Sequence, residues 1–117
     1  MQNGANYLDW RAILKHEFAA GEGSFMLQLL CGHWDKEAHL RLFIAMRECC
    51  KAHDGETHIE RWITEGFWWF DSYVSNQYAD SKDEYLSNAA VNFSHLAYWL
   101  FTGTRRAEDE FEPMEFD

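Results

Sequence analysis

The order of apolar and polar residues along the chain is helical. Tyr7, Trp10, Leu14 and Phe18 follow one another at spacings of three and four, and Asn6 stands before them as a candidate N-cap. Proline and glycine, which interrupt regular structure, are rare before residue 103, and the single proline lies in the C-terminal tail. The pattern therefore predicts long helices, the first of which ends at the glycines of residues 21–23.

Two further helices are predicted from their capping residues. Ser24 precedes a short, very apolar segment at 25–31 that Gly32 closes, and Asp35 precedes a third helix that runs to about His53. The apolar set of the third helix is too wide for a surface stripe, so we expect this helix to be central. That set consists of Leu40, Leu42, Phe43, Ile44, Met46, Cys49 and Cys50.

The last two helices each follow a capping box, in which Ser or Thr stands three residues before Glu. One box lies at residues 57–60 and opens a helix to about Tyr78, and the other lies at residues 81–84 and opens a helix that ends at Gly103. A chain of 117 residues has the length of one domain. We therefore predict an all-α, single-domain bundle of about five helices at residues 1–103, followed by an acidic, flexible tail at 104–117.

The charge of the chain restricts its partners. Twenty acidic residues against ten basic ones leave a net charge of −10. Such a surface repels phosphate, which disfavours direct binding to nucleic acid or to an anionic membrane and favours a basic protein partner. The tail carries six acids and two arginines, and its apolar residues allow either a solvated chain or a segment that anchors on the domain or on the partner. Those apolar residues are Phe111, Met114 and Phe116.

A helical wheel of the fourth helix singles out Trp68. Apolar residues from Ile59 to Val74 gather on one broad face, and Trp68 falls nearly opposite its centre. Either another part of the fold covers this indole, or it anchors a partner, since tryptophan is common at interface hot spots. The residues expected to bind the partner with it are Arg61, Glu65 and Asp71, with Asp80, Asp83 and Glu84 as an acidic rim at the next helix start.

The fifth helix carries a second candidate strip. Asn92, His95 and Trp99 recur at spacings of three and four on the back of its apolar stripe. This row either lines a groove against another helix or binds the partner as a second-rank site. The apolar stripe itself comprises Leu86, Ala89, Ala90, Phe93, Leu96, Ala97, Leu100 and Phe101.

Catalytic and metal-binding motifs are weak throughout. The closest set to a zinc site is Cys49, Cys50, His53 and His58, but the cysteines belong to the apolar set of the third helix and no CxxC or HExxH pattern occurs. His39 is expected on the exposed face of that helix. No spacing pairs a nucleophile with a base, and no glycine-rich phosphate loop is present. We therefore expect a binding protein that is not an enzyme and needs no cofactor or metal.

The cysteines and the N-terminal residues indicate the cellular compartment of the protein. Three cysteines, two of them adjacent, make a poor disulfide framework, and the first ten residues lack the basic and apolar regions of a secretory leader. No apolar run approaches the roughly 20 residues that span a bilayer. The sequence thus predicts a protein of the reducing cytoplasm.

A short acidic domain, rich in Trp and Tyr, with the helical segment SNAAVNFSHLAYWLFTG at 87–103, resembles the immunity proteins that bacteria encode beside polymorphic or contact-dependent toxins. The resemblance implies one-to-one binding to a cognate toxin domain, often over its active site. Two alternatives stand beside it. One is a nucleic-acid mimic that inhibits a DNA- or RNA-binding protein, and the other is a helical regulatory subunit that homodimerises through Trp68 or Trp99. The acids are dispersed over all helices rather than spaced along one surface, which favours the immunity hypothesis over mimicry.

Overall fold

A computed structural model describes residues 9–103, and within that range the chain forms five α-helices and no strand. The predicted all-α class is therefore confirmed. The predictions for Asn6, for Tyr7 and for the tail at 104–117 lie outside the described residues. The helices are α1 (Trp10–Phe18), α2 (Phe25–Leu30), α3 (Lys36–Ala52), α4 (Arg61–Tyr78) and α5 (Glu84–Thr102).

The predicted caps of α2 and α3 are confirmed. The Ser24 hydroxyl accepts a hydrogen bond from the Leu27 amide at 3.1 Å. The Asp35 carboxylate accepts from the amides of Glu37 and Ala38 at 3.0 and 3.2 Å. Both side chains satisfy amides that a helix N-terminus leaves without intrahelical partners, which explains why the two short polar residues define these starts.

The capping box at residues 57–60 was a wrong prediction, and α4 begins three residues later than it implies. Thr57 Oγ1 and His58 Nδ1 share a hydrogen bond of 2.9 Å, so the hydroxyl engages the neighbouring imidazole instead of a helix amide. Glu60 is the N-cap in an extended conformation, with φ −58° and ψ 140°, and makes no side-chain capping bond. The predicted end of α4 at Tyr78 is confirmed.

In α5 the cap is Asp83 and not Ser81. The Asp83 carboxylate accepts from the Tyr85 amide at 2.9 Å, while the Ser81 hydroxyl accepts from the Asp83 amide at 3.0 Å and shapes the preceding turn. Asp83, which lies two residues closer to the helix, therefore caps α5 in place of the predicted Ser81. Gly103 ends the helix as predicted, in the left-handed conformation (φ 72°) that favours glycine at this position.

The described chain divides between Lys51 and Ala52 into two compact units. In the first unit, Glu17 of α1 connects to the start of α2. Its carboxylate, 3% exposed, accepts hydrogen bonds from the amides of Phe25 and Met26 at 2.8 and 3.2 Å. A side chain from one helix therefore satisfies two free amides of the next.

His39 lies in the aromatic core of the first unit, and the prediction that it faces solvent was wrong. Its imidazole packs edge-on against Trp34, with ring centroids 5.1 Å apart, and lies 5.4 Å from the ring of Phe25. The loop before α3 delivers Trp34 onto this side of the helix, an effect that a helical wheel of α3 alone does not contain.

The second unit contains the helical hairpin of α4 and α5. Five residues connect two long helices, and a short connection of this kind produces antiparallel neighbours. Phe70 stacks on Phe93 with ring centroids 5.3 Å apart. Beside this stack, the Ser94 hydroxyl donates to the Asp71 carboxylate at 2.5 Å. These contacts set the register of the two helices.

The buried side of α5 is rotated relative to the predicted stripe. Trp99 is 4% exposed and belongs to the core, whereas Phe101, predicted as core, is 48% exposed. The larger Trp99 side chain is buried in place of Phe101 because its burial removes more apolar surface from water. The other predicted core residues of α5 are buried, apart from Leu86, which is half-buried.

Asp83 provides a test of the α5 start. We expect Asp83→Ala to lower the free energy of unfolding by about 1 kcal/mol, since it removes the acceptor for a helix amide. Asp83→Asn keeps an acceptor and should lose less. The matched control is Asp80→Ala, an exposed acid of the same loop, for which we expect a loss below about 0.5 kcal/mol. Urea unfolding followed by circular dichroism measures all three, and equal losses at positions 80 and 83 would contradict the assignment.

Candidate functional site

Trp68 is the most exposed large apolar side chain among residues 9–103. It is 60% exposed and lies on the polar side of α4, as the helical wheel predicted. Glu65 and Arg61, one and two turns earlier on the same side, are exposed as well. An indole in this position exposes a large apolar area to water, which makes it a candidate anchor for a partner.

The register of the hairpin shows what lies beside Trp68. Because the helices are antiparallel, moving back along α4 from Asp71 corresponds to moving forward along α5 from Ser94. Three residues back lies Trp68, and four residues forward lies Tyr98. The two side chains therefore stand at the same level of the hairpin, on the same side of the Asp71–Ser94 contact.

Tyr98 and Phe101 extend the exposed apolar surface along α5. Tyr98 is 38% exposed and Phe101 is 48% exposed, and Val91 is exposed one heptad before Tyr98. Spacings of seven and three place all three on one side of the helix. We call Trp68, Val91, Tyr98 and Phe101 the aromatic face.

The α5 part of the aromatic face was not predicted from the sequence. Phe101 was assigned to the core because its spacing from Ala97 fits the apolar stripe equally well. The signal that could have found this surface is the second apolar series at positions 91, 98 and 101, which runs along the opposite side of the helix from Phe93 and Leu100.

The predicted acidic residues fall into two groups. Asp71 and Asp83 have structural roles: Asp71 accepts from the hydroxyls of Ser94 and Ser75, at 2.5 and 3.4 Å, and Asp83 caps α5. The remaining acids, Glu65, Asp80 and Glu84, are exposed and available to a partner. Exposed carboxylates thus stand beside Trp68 and at the loop end of the hairpin, while two of the predicted acids hold the hairpin together.

The second-rank strip on α5 is mostly covered. Trp99 is buried, and Asn92 and His95 are half-buried. Of the two alternatives for this row, the burial of Trp99 favours packing within the protein over contact with a partner.

A cleft of about 490 Å³ opens within the first unit, between α1, the turn that follows it and Arg41 of α3. Burial raises the pKa of Glu17 at this cleft, and the amide hydrogen bonds from Phe25 and Met26 act in the opposite direction. Both carboxylate oxygens of Glu17 already bind backbone amides, so its geometry is that of a structural acceptor. The His16 imidazole forms a 2.9 Å hydrogen bond with the Glu22 carbonyl at the cleft's edge.

The candidate zinc ligands do not assemble. Within residues 9–103 no group of three or more His, Cys, Asp or Glu side chains is placed to hold a metal ion. Cys49 and Cys50 are buried in α3, whereas His58 is exposed and bonded to Thr57. Over the same range, none of the helices has both the length and the apolar character that crossing a membrane requires.

The function of this protein has to be inferred from its own residues. Neither the known protein families, nor the curated proteins, nor the solved structures include a match to this chain.

Burial of His39 links the stability of the protein to pH. Desolvation lowers the pKa of His39 from 6.5 to about 4, so the folded protein keeps this imidazole neutral where the unfolded chain protonates it. Between those values the unfolded state binds more protons, and stability therefore falls as pH decreases. The raised pKa of Glu17 acts with the opposite sign, because folding then favours its protonated form.

We expect the His39 contribution to lower the free energy of unfolding by about 3 kcal/mol as pH falls from about 7 to about 4. His39→Gln should remove this part of the pH dependence, while His33→Gln, at an exposed position two residues before Asp35, should retain it. Urea unfolding at several pH values measures the slopes, and comparison with the unmodified protein cancels the contribution of Glu17. Equal slopes for the two variants would contradict the burial of a neutral His39.

Proposed function

We propose that this protein is an immunity protein, a non-catalytic inhibitor that binds a basic toxin domain and neutralises it. The observation that carries the proposal is the 60% exposed Trp68 on the polar side of α4, in a chain of net charge −10. A large exposed indole and a strong acidic field are the two components that tight, rapid association with a basic partner requires.

The charge supports the first stage of this binding. Five acids against two bases lie between residues 61 and 102, and Glu65, Asp80 and Glu84 among them are exposed. Such a surface accelerates the encounter with a cationic domain and orients it, and the effect weakens as salt screens the charges.

The apolar residues support the second stage. Once the partner covers Trp68, release has to expose the indole to water again, which slows dissociation. A toxin domain that acts on nucleic acid needs cationic residues around its active site to hold phosphate. An acidic protein attracted to those residues would then cover the site and block substrate access.

Nucleic-acid mimicry makes a different demand on the same surface. A mimic binds through carboxylates that replace phosphates, so its affinity is dominated by charge and collapses with added salt. An aromatic anchor keeps a large part of its contribution at high salt, because removal of apolar surface from water does not depend on screening. Salt dependence therefore separates the two hypotheses.

The test is recovery of the partner with the tagged, full-length protein from its source cells, followed by a high-salt wash. We expect one stoichiometric partner that carries a basic, toxin-like domain, survives the wash and loses its activity when bound. Loss of the partner at high salt would favour mimicry, and recovery of the bait alone would contradict the proposal.

With the recovered partner, we expect Trp68→Ala to weaken binding by about 2 kcal/mol or more, as substitution of an interface hot spot does. The matched control is Leu30→Ala, which truncates a side chain of α2 that is 53% exposed and should leave affinity unchanged. Calorimetry measures affinity, and thermal unfolding checks that both variants fold. A lower melting temperature with unchanged affinity for Trp68→Ala would show that the indole stabilises the fold and does not bind.

A further inference from the structure

We infer that the whole aromatic face of the hairpin is the binding surface, and that its occupant is a basic amphipathic helix of the partner. The inference rests on the proposed function and specifies the partner's chemistry. It adds Tyr98 and Phe101 of α5 as anchors that stand beside Trp68 of α4.

Continuity of the surface is the first argument. Trp68 and Tyr98 stand at the same level on the two helices, on the same side of the contact between Asp71 and Ser94. One turn further along α5, Phe101 continues the apolar surface and is nearly half exposed. A partner large enough to cover Trp68 therefore meets both α5 aromatics, and the three side chains act as one apolar patch.

The shape of the surface is the second argument. From the level of Trp68 and Tyr98 toward the loop, the line along which the two helices meet carries small polar side chains, with the hydroxyls of Ser75 and Ser94 on the Asp71 carboxylate. Small side chains along this line leave a groove between the two antiparallel helices, with the exposed Val91 on its edge and Trp68, Tyr98 and Phe101 at one end. A third helix fits such a groove and places its apolar side chains, spaced three and four residues apart, between the aromatics.

Charge is the third argument, and it favours a basic partner over a second copy of this chain as the occupant. The exposed acids Asp80 and Glu84 stand at the loop end of the hairpin, and Glu65 stands one turn before Trp68, with the exposed Arg61 a further turn away. Two copies meeting through this face would bring like charges together, which opposes association. Lysine or arginine on the flanks of a docked helix would pair with the same carboxylates.

The probe for this test is an amphipathic model peptide of leucine and lysine, about 14 residues or roughly four turns long. It is titrated into the isotopically labelled full-length protein, and backbone amide shifts are followed by NMR. We expect the shifts to cluster on residues 64–72 and 91–102. An equivalent peptide of leucine and glutamate tests the charge requirement and should not bind.

Single substitutions then test the composition of the surface. Trp68→Ala, Tyr98→Ala and Phe101→Ala should each weaken peptide binding at least about fivefold, and Leu30→Ala should not change it. If Tyr98→Ala and Phe101→Ala bind as the unmodified protein does, the surface is confined to α4 and the inference is wrong. Absence of binding, or shifts that map elsewhere, would also overturn it.

Sedimentation of the unmodified protein at micromolar concentration completes the test. We expect a monomer, and a dimer that Phe101→Ala dissociates would identify the face as a contact between copies and overturn the inference.

The peptide titration does not depend on the toxin. If the lysine peptide binds the aromatic face but no toxin is recovered from cells, the surface assignment stands and the immunity proposal fails. If a toxin is recovered and its binding needs Trp68 but neither Tyr98 nor Phe101, the immunity proposal stands and the surface assignment is wrong.

Discussion

The stacking of Phe70 on Phe93 is the contact on which the second unit depends. It lies beside the hydrogen bond between Ser94 and Asp71, and together the two contacts fix both the register and the rotation of α4 against α5. This register and rotation determine which other side chains of the hairpin are buried and which are exposed. A different rotation would bury Trp68 or expose Trp99, and the protein would present another surface to its partner.

Most features that depend on a single helix were predicted from the sequence, whereas contacts between elements were not. The caps at Ser24 and Asp35 and the glycine at the end of α5 were found because each involves only neighbouring residues. The position of Trp68 also followed from one helical wheel. His39 was misassigned because Trp34, which covers it, comes from the loop before α3.

Competition between nearby polar residues explains the two misplaced helix starts. In each case a capping box offers a Ser or Thr, but a local alternative satisfies that hydroxyl better: His58 for Thr57, and the Asp83 amide for Ser81. Side-chain to backbone hydrogen bonds of this kind compete on almost equal terms, so a motif alone does not decide between them. The α5 part of the aromatic face was missed for a different reason: Trp99 and Phe101 lie on nearly opposite sides of the helix, so the rotation that buries the larger Trp99 exposes Phe101.

The bond between Glu17 and the start of α2 has a consequence for local unfolding. A helix of six residues is far too short to persist alone, since its nucleation cost exceeds what its few hydrogen bonds return. The Glu17 carboxylate holds two of its first amides, so α2 loses part of its support when α1 unfolds. We therefore expect the two helices to open together, as one cooperative unit in the first half of the chain.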